Sequence, residues 1–182
     1  MRSTQYFCEV DMSGSKTFGK GLFSGCALLT GGLCVIIYIV MLAISGSPFE
    51  MIHKLDFNEM IPPMWMWRIF NLAWAFLGGA AAGSLICDAA CRRIAGERVL
   101  CACKGGLFFL SAFFLSVVHY PVFFCLEKLF IAFLVALLAT ACAAVCAVIW
   151  SKASPIASIV LAGNALWLLY VAFLSACLLI GN

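Results

Sequence analysis

Five long apolar runs, separated by short polar segments, constrain this chain more than any other feature of its sequence. The first, Leu22–Ile44, contains 23 residues and no charge. As a helix it would be about 34 Å long, enough to cross a hydrocarbon core of roughly 30 Å. The other four runs are Met64–Cys87, Gly105–Phe124, Leu129–Trp150 and Ile156–Ile180. Because backbone polar groups cannot stay unpaired in hydrocarbon, we predict an all-α, integral membrane bundle of five transmembrane helices.

The composition agrees with this prediction. Of the 182 residues, 65% are hydrophobic and only 10% are charged, which is more apolar surface than a soluble domain of this size can bury. We therefore expect membrane lipid around the bundle. Residues 1–21 are predicted to form a polar N-terminal tail and residues 22–182 the membrane domain. Nucleic acid is not expected as a partner, because the chain has no basic face and no nucleic-acid-binding motif.

The distribution of cations predicts the orientation in the membrane. With five spans, eight of the eleven Lys and Arg residues fall on the side of the N-terminal tail and three on the other side. Cytoplasmic loops carry an excess of Lys and Arg, so we expect a cytoplasmic N-terminus. A short chain without a targeting sequence suits a bacterial cell membrane, with an organelle membrane as the alternative.

The second run supplies most of the candidate site residues. Pro62 and Pro63 fix φ and lack an N–H, so they suit a loop end or a first helical turn. At helical spacing Trp67, Asn71 and Trp74 share one face. A lipid-facing helix surface is usually aliphatic, so this aromatic and polar face is predicted to point inward.

Further polar and aromatic residues lie in the third and fifth runs. His119 precedes Pro121, which removes one helical hydrogen bond and creates local room. Asn164 and Trp167 share a face of the last run. For Asn71 and His119 the sequence leaves two interpretations open, a structural hydrogen bond or a ligand contact. The ligand-binding candidates are Pro62, Pro63, Trp65, Trp67, Asn71, His119, Asn164 and Trp167.

Small residues predict close helix contacts. Gly79 and Gly83 form a Gly-x-x-x-Gly pattern, which serves either intramolecular packing or a homodimer interface. Most of the 11 cysteines lie in apolar runs, where Cys behaves as a small hydrophobe, so no metal site is expected. The sequence contains no paired carboxylates inside a span, no zinc protease motif and no nucleophile elbow, so no catalytic residue is assigned.

Four segments resemble the TspO/MBR family of translocator and tryptophan-rich sensory proteins. The family's double proline and aromatic helix resemble Pro62–Trp67 and the following Gly78–Ala81. Its third-helix ending resembles Ser116–Phe124, and the tight turn into the fourth helix is similarly placed. Its closing motifs resemble Gly163–Trp167, then Leu174-Ser175 and the terminal Asn182.

Several positions differ from the family pattern. The second-helix Trp and Tyr are Asn71 and Ala75 here, and the third-helix Asn and Trp are Ser116 and His119. The family's Pro-Tyr pair in the fifth helix is Gly163-Asn164. These positions line the ligand site of the family, so the resemblance implies a conserved frame with an altered lining.

The resemblance implies a homodimeric five-helix protein that binds porphyrins or other hydrophobic molecules in a cavity closed by the first loop. We therefore predict a receptor or transporter for a hydrophobic small molecule, a tetrapyrrole or a lipid. A tetrapyrrole would be a ligand, and no cofactor is expected. Two alternatives remain: an enzyme that degrades a photosensitising tetrapyrrole, or a structural membrane protein that works through its small-residue faces without a ligand.

Overall fold

The computed structural model describes residues 12–45, 63–91, 94 and 96–181. Within these residues lie five α-helices: α1 (Met12–Ile44), α2 (Met64–Ala90), α3 (Glu97–Phe124), α4 (Leu129–Trp150) and α5 (Pro155–Gly181). Each of the five is long and apolar enough to cross a membrane. The prediction of an all-α, five-helix membrane bundle is confirmed. Pro62 and most of the first loop lie outside the described residues.

Two helices begin earlier than their apolar runs suggest. Helix α1 begins at Met12, inside the predicted tail, and α3 begins at Glu97 rather than Gly105. The apolar run marks only the part of a helix that suits hydrocarbon, whereas backbone hydrogen bonds can continue the helix into polar surroundings. In α3 this extension carries Arg98 and Lys104, both exposed. The connector predicted between residues 88 and 104 is correspondingly shorter.

Proline and serine define two of the helix starts. The carbonyl of Pro63 accepts hydrogen bonds from the N–H groups of Met66 at 2.8 Å and Trp67 at 3.2 Å, which begins α2. Helix α5 starts at Pro155, and the Ser154 hydroxyl accepts the Ala157 N–H at 3.4 Å. Proline suits a first turn because the N–H it lacks would have no helical partner there.

The helices form a closed ring in the order α1, α2, α5, α4, α3, and α2 also contacts α3 across the ring. The contacts are most extensive between α1 and α2, between α3 and α4, and between α4 and α5. We call α1 and α2 the hairpin, and α3, α4 and α5 the three-helix unit. Their shared boundary, where α2 meets α3 and α5 and where α1 meets α3, is called the central seam. Contacts at this seam are less extensive than those inside either unit.

Glycines let the two helices of the hairpin approach closely. A Cβ atom at Gly79 would lie 2.8 Å from the Thr30 carbonyl oxygen, and one at Gly83 would lie 2.6 Å from the Cys26 carbonyl oxygen. The Thr30 hydroxyl also donates a hydrogen bond to the Gly79 carbonyl at 2.7 Å. Both glycines therefore face α1 of the same chain, so they serve intramolecular helix packing, one of the two roles that the sequence left open. A homodimer would need another surface.

In the three-helix unit, alanines allow the helices to pack closely, as the glycines do in the hairpin. Ala132, Ala139 and Ala143 of α4 have no exposed surface. Near the α4–α5 turn this packing ends in an apolar cluster around Trp150, which is 1% exposed and stacks on Phe109 with ring centroids 5.7 Å apart. We call this cluster the closed end: Ala82, Leu85, Ala102, Phe109, Cys146, Ala147, Trp150, Ala157 and Leu161.

Candidate functional site

Two small cavities lie side by side at the central seam. The larger has a volume of about 20 Å³ and the smaller about 10 Å³, so each has room for about one water molecule. Residues common to both are Tyr38, Asn71, Ser116 and Leu168. The larger cavity also contacts Trp74 and Asn164, and the smaller one Trp67 and His119. Side chains from α1, α2, α3 and α5 therefore meet here, and α4 contributes alanines to the smaller cavity.

A side-chain hydrogen bond crosses the seam beside these cavities. The indole Nε1 of Trp167 in α5 donates to the Asn71 Oδ1 in α2 at 2.9 Å. The Trp167 ring also stacks on Phe70 at 4.9 Å and meets Trp67 edge-to-face at 5.6 Å. Three residues of α2 thus hold the Trp167 ring in one orientation. The Asn71 amide makes an interhelical hydrogen bond and also lines the cavities, so its position is compatible with both a structural role and a ligand contact.

Two polar atoms at the site have no partner within the described part of the chain. They are the Nε2 of His119, whose side chain is 5% exposed, and the indole Nε1 of Trp74. Leaving a buried donor or acceptor unpaired costs about 1–3 kcal/mol, so such atoms are rare in native proteins. The His119 ring is held by stacking on Phe123, with centroids 5.5 Å apart. These unpaired atoms are the strongest indication of a site in the bundle.

Local backbone bonds occupy other polar groups nearby. The Ser116 hydroxyl donates to the Ala112 carbonyl, one turn earlier in α3, at 2.7 Å. Such bonding satisfies the hydroxyl proton and leaves the oxygen lone pairs free. Tyr38 is 5% exposed and meets Tyr120 edge-to-face at 6.3 Å.

The structure brings most of the sequence candidates together. Trp67, Asn71, His119 and Asn164 line the cavities, and Trp167 is bonded to Asn71. Trp65 is not part of this group, because it is 64% exposed on the outer surface of α2. Pro63 is also exposed, at the start of α2, and Pro62 lies outside the described residues.

Three lining residues with polar side-chain atoms are absent from the sequence candidates: Tyr38, Trp74 and Ser116. A sequence signal existed for each of them. Trp74 lies on the same helical face as Trp67 and Asn71, and Ser116 occupies a position where the resembled family has a polar residue. Tyr38 places a hydroxyl deep in an apolar run, where it needs either a partner or a polar cavity.

Other polar groups lie outside this site. Arg68 is exposed at the start of α2, close to Tyr120 of α3. Near the opposite end the Cys87 and Cys91 sulfurs are 3.9 Å apart. Among the described residues, no three His, Cys, Asp or Glu side chains converge as a metal site would require.

Comparison with known proteins identifies the family of this chain. No curated protein and no solved structure matches it. The sequence model of the TspO/MBR family matches residues 27–180, from the middle of α1 almost to the end of α5. The earlier resemblance is thereby confirmed over nearly the whole chain. This five-helix membrane protein belongs to the TspO/MBR family.

Proposed function

We propose that this protein is a membrane receptor or carrier that binds a hydrophobic small molecule at the central seam. Family membership makes tetrapyrroles and lipids the first ligand classes to test. Support comes from the place where polar groups collect. Small-molecule sites are usually apolar with a few precisely placed polar groups, and the seam combines aromatic walls with Asn71, His119 and Asn164.

One observation carries this proposal. In a bundle of apolar helices, His119 Nε2 and Trp74 Nε1 have no partner among the described residues, and both belong to residues that line the two cavities. A fold that needed only stability would have apolar side chains there, because unpaired polar groups destabilise a membrane interior. A ligand that pairs with these atoms would recover that lost free energy.

Ligand binding would require the seam to open. The two cavities together hold only about two water molecules, so a hydrophobic ligand needs the hairpin to move away from the three-helix unit. Contacts at the seam are less extensive than those inside either unit, which makes this boundary the natural place for separation. If the open state is a minor one, the measured affinity is reduced by its population.

We propose the orientation that the charges predict, with the closed end facing the cytoplasm and the ligand entering from the opposite side. Helix α1 ends and α2 begins on that opposite side, so residues 46–62 between them would cover the entrance. The proposed location is a bacterial cell membrane.

Tryptophan fluorescence tests the proposal, because Trp67, Trp74 and Trp167 lie at the site whereas Trp150 lies at the closed end. The protein in lipid nanodiscs is titrated with a panel of tetrapyrroles and neutral lipophilic compounds. We expect quenching that saturates in the wild type, persists in Trp65→Phe and decreases in Trp167→Phe. Trp65→Phe is the matched control because Trp65 is on the lipid-facing surface. Fluorescence that stays unchanged across the whole panel would contradict the proposal.

A further inference from the structure

Two thiols lie together where α2 ends, about 24 Å along the helix from Asn71. The Cys87 and Cys91 sulfurs are 3.9 Å apart. Cys91 is the residue that caps the helix, and its N–H donates to the Cys87 carbonyl at 2.8 Å. The pair therefore spans a single helical turn and lies outside the candidate ligand site.

The two thiols differ in their access to solvent. Cys87 is buried, with 3% of its surface exposed, whereas Cys91 is exposed. A dissolved reagent therefore reaches the Cys91 sulfur first, and the Cys87 sulfur reacts with a group that has already formed on Cys91. An accessible cysteine beside a second, resolving cysteine is the usual arrangement of a redox-active pair.

The backbone between the two cysteines permits a disulfide. Residues four apart in an α-helix have Cα atoms about 6 Å apart, which is near the long end of the usual disulfide range of roughly 4.4–6.8 Å. The sulfurs must approach by about 2 Å to reach bonding distance, and a helix end is the place where such an adjustment is easiest. A disulfide in this geometry is readily reduced again, as reversible exchange requires.

The charges near Cys91 act on its thiolate in opposite directions. The C-terminus of α2 disfavours a negative charge, whereas Arg92 and Arg93, which follow Cys91 in the sequence, favour one. Thiol–disulfide exchange does not need a strongly acidic thiol, because nucleophilicity falls as the thiol becomes more acidic. A disulfide is therefore a suitable reaction partner for Cys91.

We propose that Cys87 and Cys91 form a redox-active dithiol that exchanges with a low-molecular-weight disulfide of the glutathione type. The Cys91 thiolate attacks one sulfur of the small disulfide, which forms a mixed disulfide on Cys91 and releases one small thiolate. The Cys87 thiol then loses its proton, and its thiolate attacks the Cys91 sulfur and releases the second small thiolate. The two small thiolates take up the two protons that the cysteines lost, so two electrons pass from the protein to the small disulfide.

Cys26 of α1 is the competing partner for Cys87. Its backbone carbonyl faces Gly83, one turn before Cys87 in α2, and the two cysteines lie close to each other. A disulfide between them would crosslink the hairpin. Cys26 is only partly exposed, whereas Cys91 is exposed, so the mixed disulfide is expected on Cys91 and the internal disulfide between Cys87 and Cys91.

Peptide masses test the inference. The full chain in lipid nanodiscs is incubated with oxidised glutathione, its remaining thiols are alkylated, and it is digested with trypsin. One tryptic peptide, residues 69–92, contains Cys87 and Cys91 and no other cysteine, whereas Cys26 falls in another, residues 21–54. We expect the first peptide to be two hydrogen atoms lighter than its reduced form and free of alkylation, and an excess of reduced glutathione to restore both thiols.

Variants assign a role to each cysteine. Cys87→Ser should hold one glutathione on Cys91 as a stable mixed disulfide, because the resolving thiol is gone. Cys91→Ser should leave Cys87 as an unmodified thiol, because Cys87 is buried. Cys103→Ser is the matched control: Cys103 is also exposed, and its loss should leave the internal disulfide unchanged. A thermal melt checks that each variant folds, and Cys87→Ala is a second variant with the same expectation as Cys87→Ser.

Three results would overturn the inference. In the wild type, they are two alkylated thiols in the peptide of residues 69–92, a lasting glutathione adduct on Cys91, or a disulfide that joins this peptide to the one of residues 21–54. Each of them leaves the proposed ligand binding at the central seam untouched, because that proposal uses none of these cysteines.

Discussion

The closed end and the central seam both bury tryptophan in the same bundle, but the indole Nε1 has a different kind of hydrogen-bond partner in each region. At the closed end Trp150 is 1% exposed, and its Nε1 donates to the Ala102 backbone carbonyl at 3.3 Å. At the seam Trp167 donates to the Asn71 side chain, and the Trp74 Nε1 has no partner among the described residues.

The difference separates a structural region from a candidate site. The closed end joins helices of the three-helix unit through backbone carbonyls: Cys146 Sγ donates to Gly105 O at 3.1 Å, and Ser158 Oγ to Ala147 O at 2.8 Å. A backbone acceptor moves only if its helix moves. The seam relies on side chains from two units, and these can change partners without unfolding a helix. Ligand exchange is therefore compatible with the seam and not with the closed end.

The largest expected effect is at Gly105 in the closed end. A Cβ atom there would run into the Trp150 indole ring, so Gly105→Ala forces the ring or α3 to move. Such overpacking costs about 1–3 kcal/mol, and we expect a lower thermal denaturation midpoint in detergent.

Gly106→Ala is the matched control, because a Cβ at Gly106 meets nothing within 4 Å. Alanine in a helix is favoured over glycine by about 0.5–1 kcal/mol, so this variant should be slightly more stable than the wild type. If both variants change the midpoint by the same amount, the close contact with Trp150 is not what holds the closed end together.

A smaller effect is expected at the seam from Asn71→Leu, which keeps the side-chain volume and removes the acceptor of the Trp167 N–H. Polar contacts between membrane helices contribute about 0.6 kcal/mol on average and up to about 1.7 kcal/mol, so we expect a loss in that range. The measurement is the denaturation midpoint of the two single variants, Asn71→Leu and Trp167→Phe, and of the double variant.

A double variant less destabilised than the sum of the two single variants would demonstrate that the two residues interact. Additive losses would mean that the 2.9 Å bond does not stabilise the seam.

The third prediction has no effect on stability and concerns which end faces the cytoplasm. Cys103 near the start of α3 and Cys125 after its last turn are both exposed, at opposite ends of the helix. Applied to intact cells, a membrane-impermeant maleimide should label Cys125 and not Cys103. Cys125→Ser should then remove the external labelling, and Cys103→Ser should leave it unchanged. External labelling that depends on Cys103 would reverse the proposed orientation.

Much of the fold was predictable because hydrocarbon imposes a simple requirement. A stretch of about 20 apolar residues must be helical to pair its backbone, so the five runs predicted the five helices. Helix α4 agrees at both ends, since charged or turn residues flank its run directly. The starts of α1 and α3 were not predictable in this way, because a helix that leaves the hydrocarbon no longer needs apolar residues.

The candidate site was predictable only in part. Spacing along α2 placed Trp67 and Asn71 on one inward face, and both do line the smaller cavity. Trp65 was assigned to the same group, yet two positions along a helix turn a side chain to a different face, where it meets the outer surface. Aromatic content alone does not say which tryptophan faces the interior.

The sequence by itself determined the membrane setting, the number of helices and the family, because these follow from hydropathy, length and local motifs. Only the tertiary structure decided that Gly79 and Gly83 allow α1 to approach α2 closely. It also decided that Trp74 and Tyr38 belong to the site, and that Trp74 Nε1 and His119 Nε2 have no partner in the described chain. Such facts depend on which faces of distant helices meet. That choice is made by the packing of side chains far apart in the chain, which no local pattern specifies.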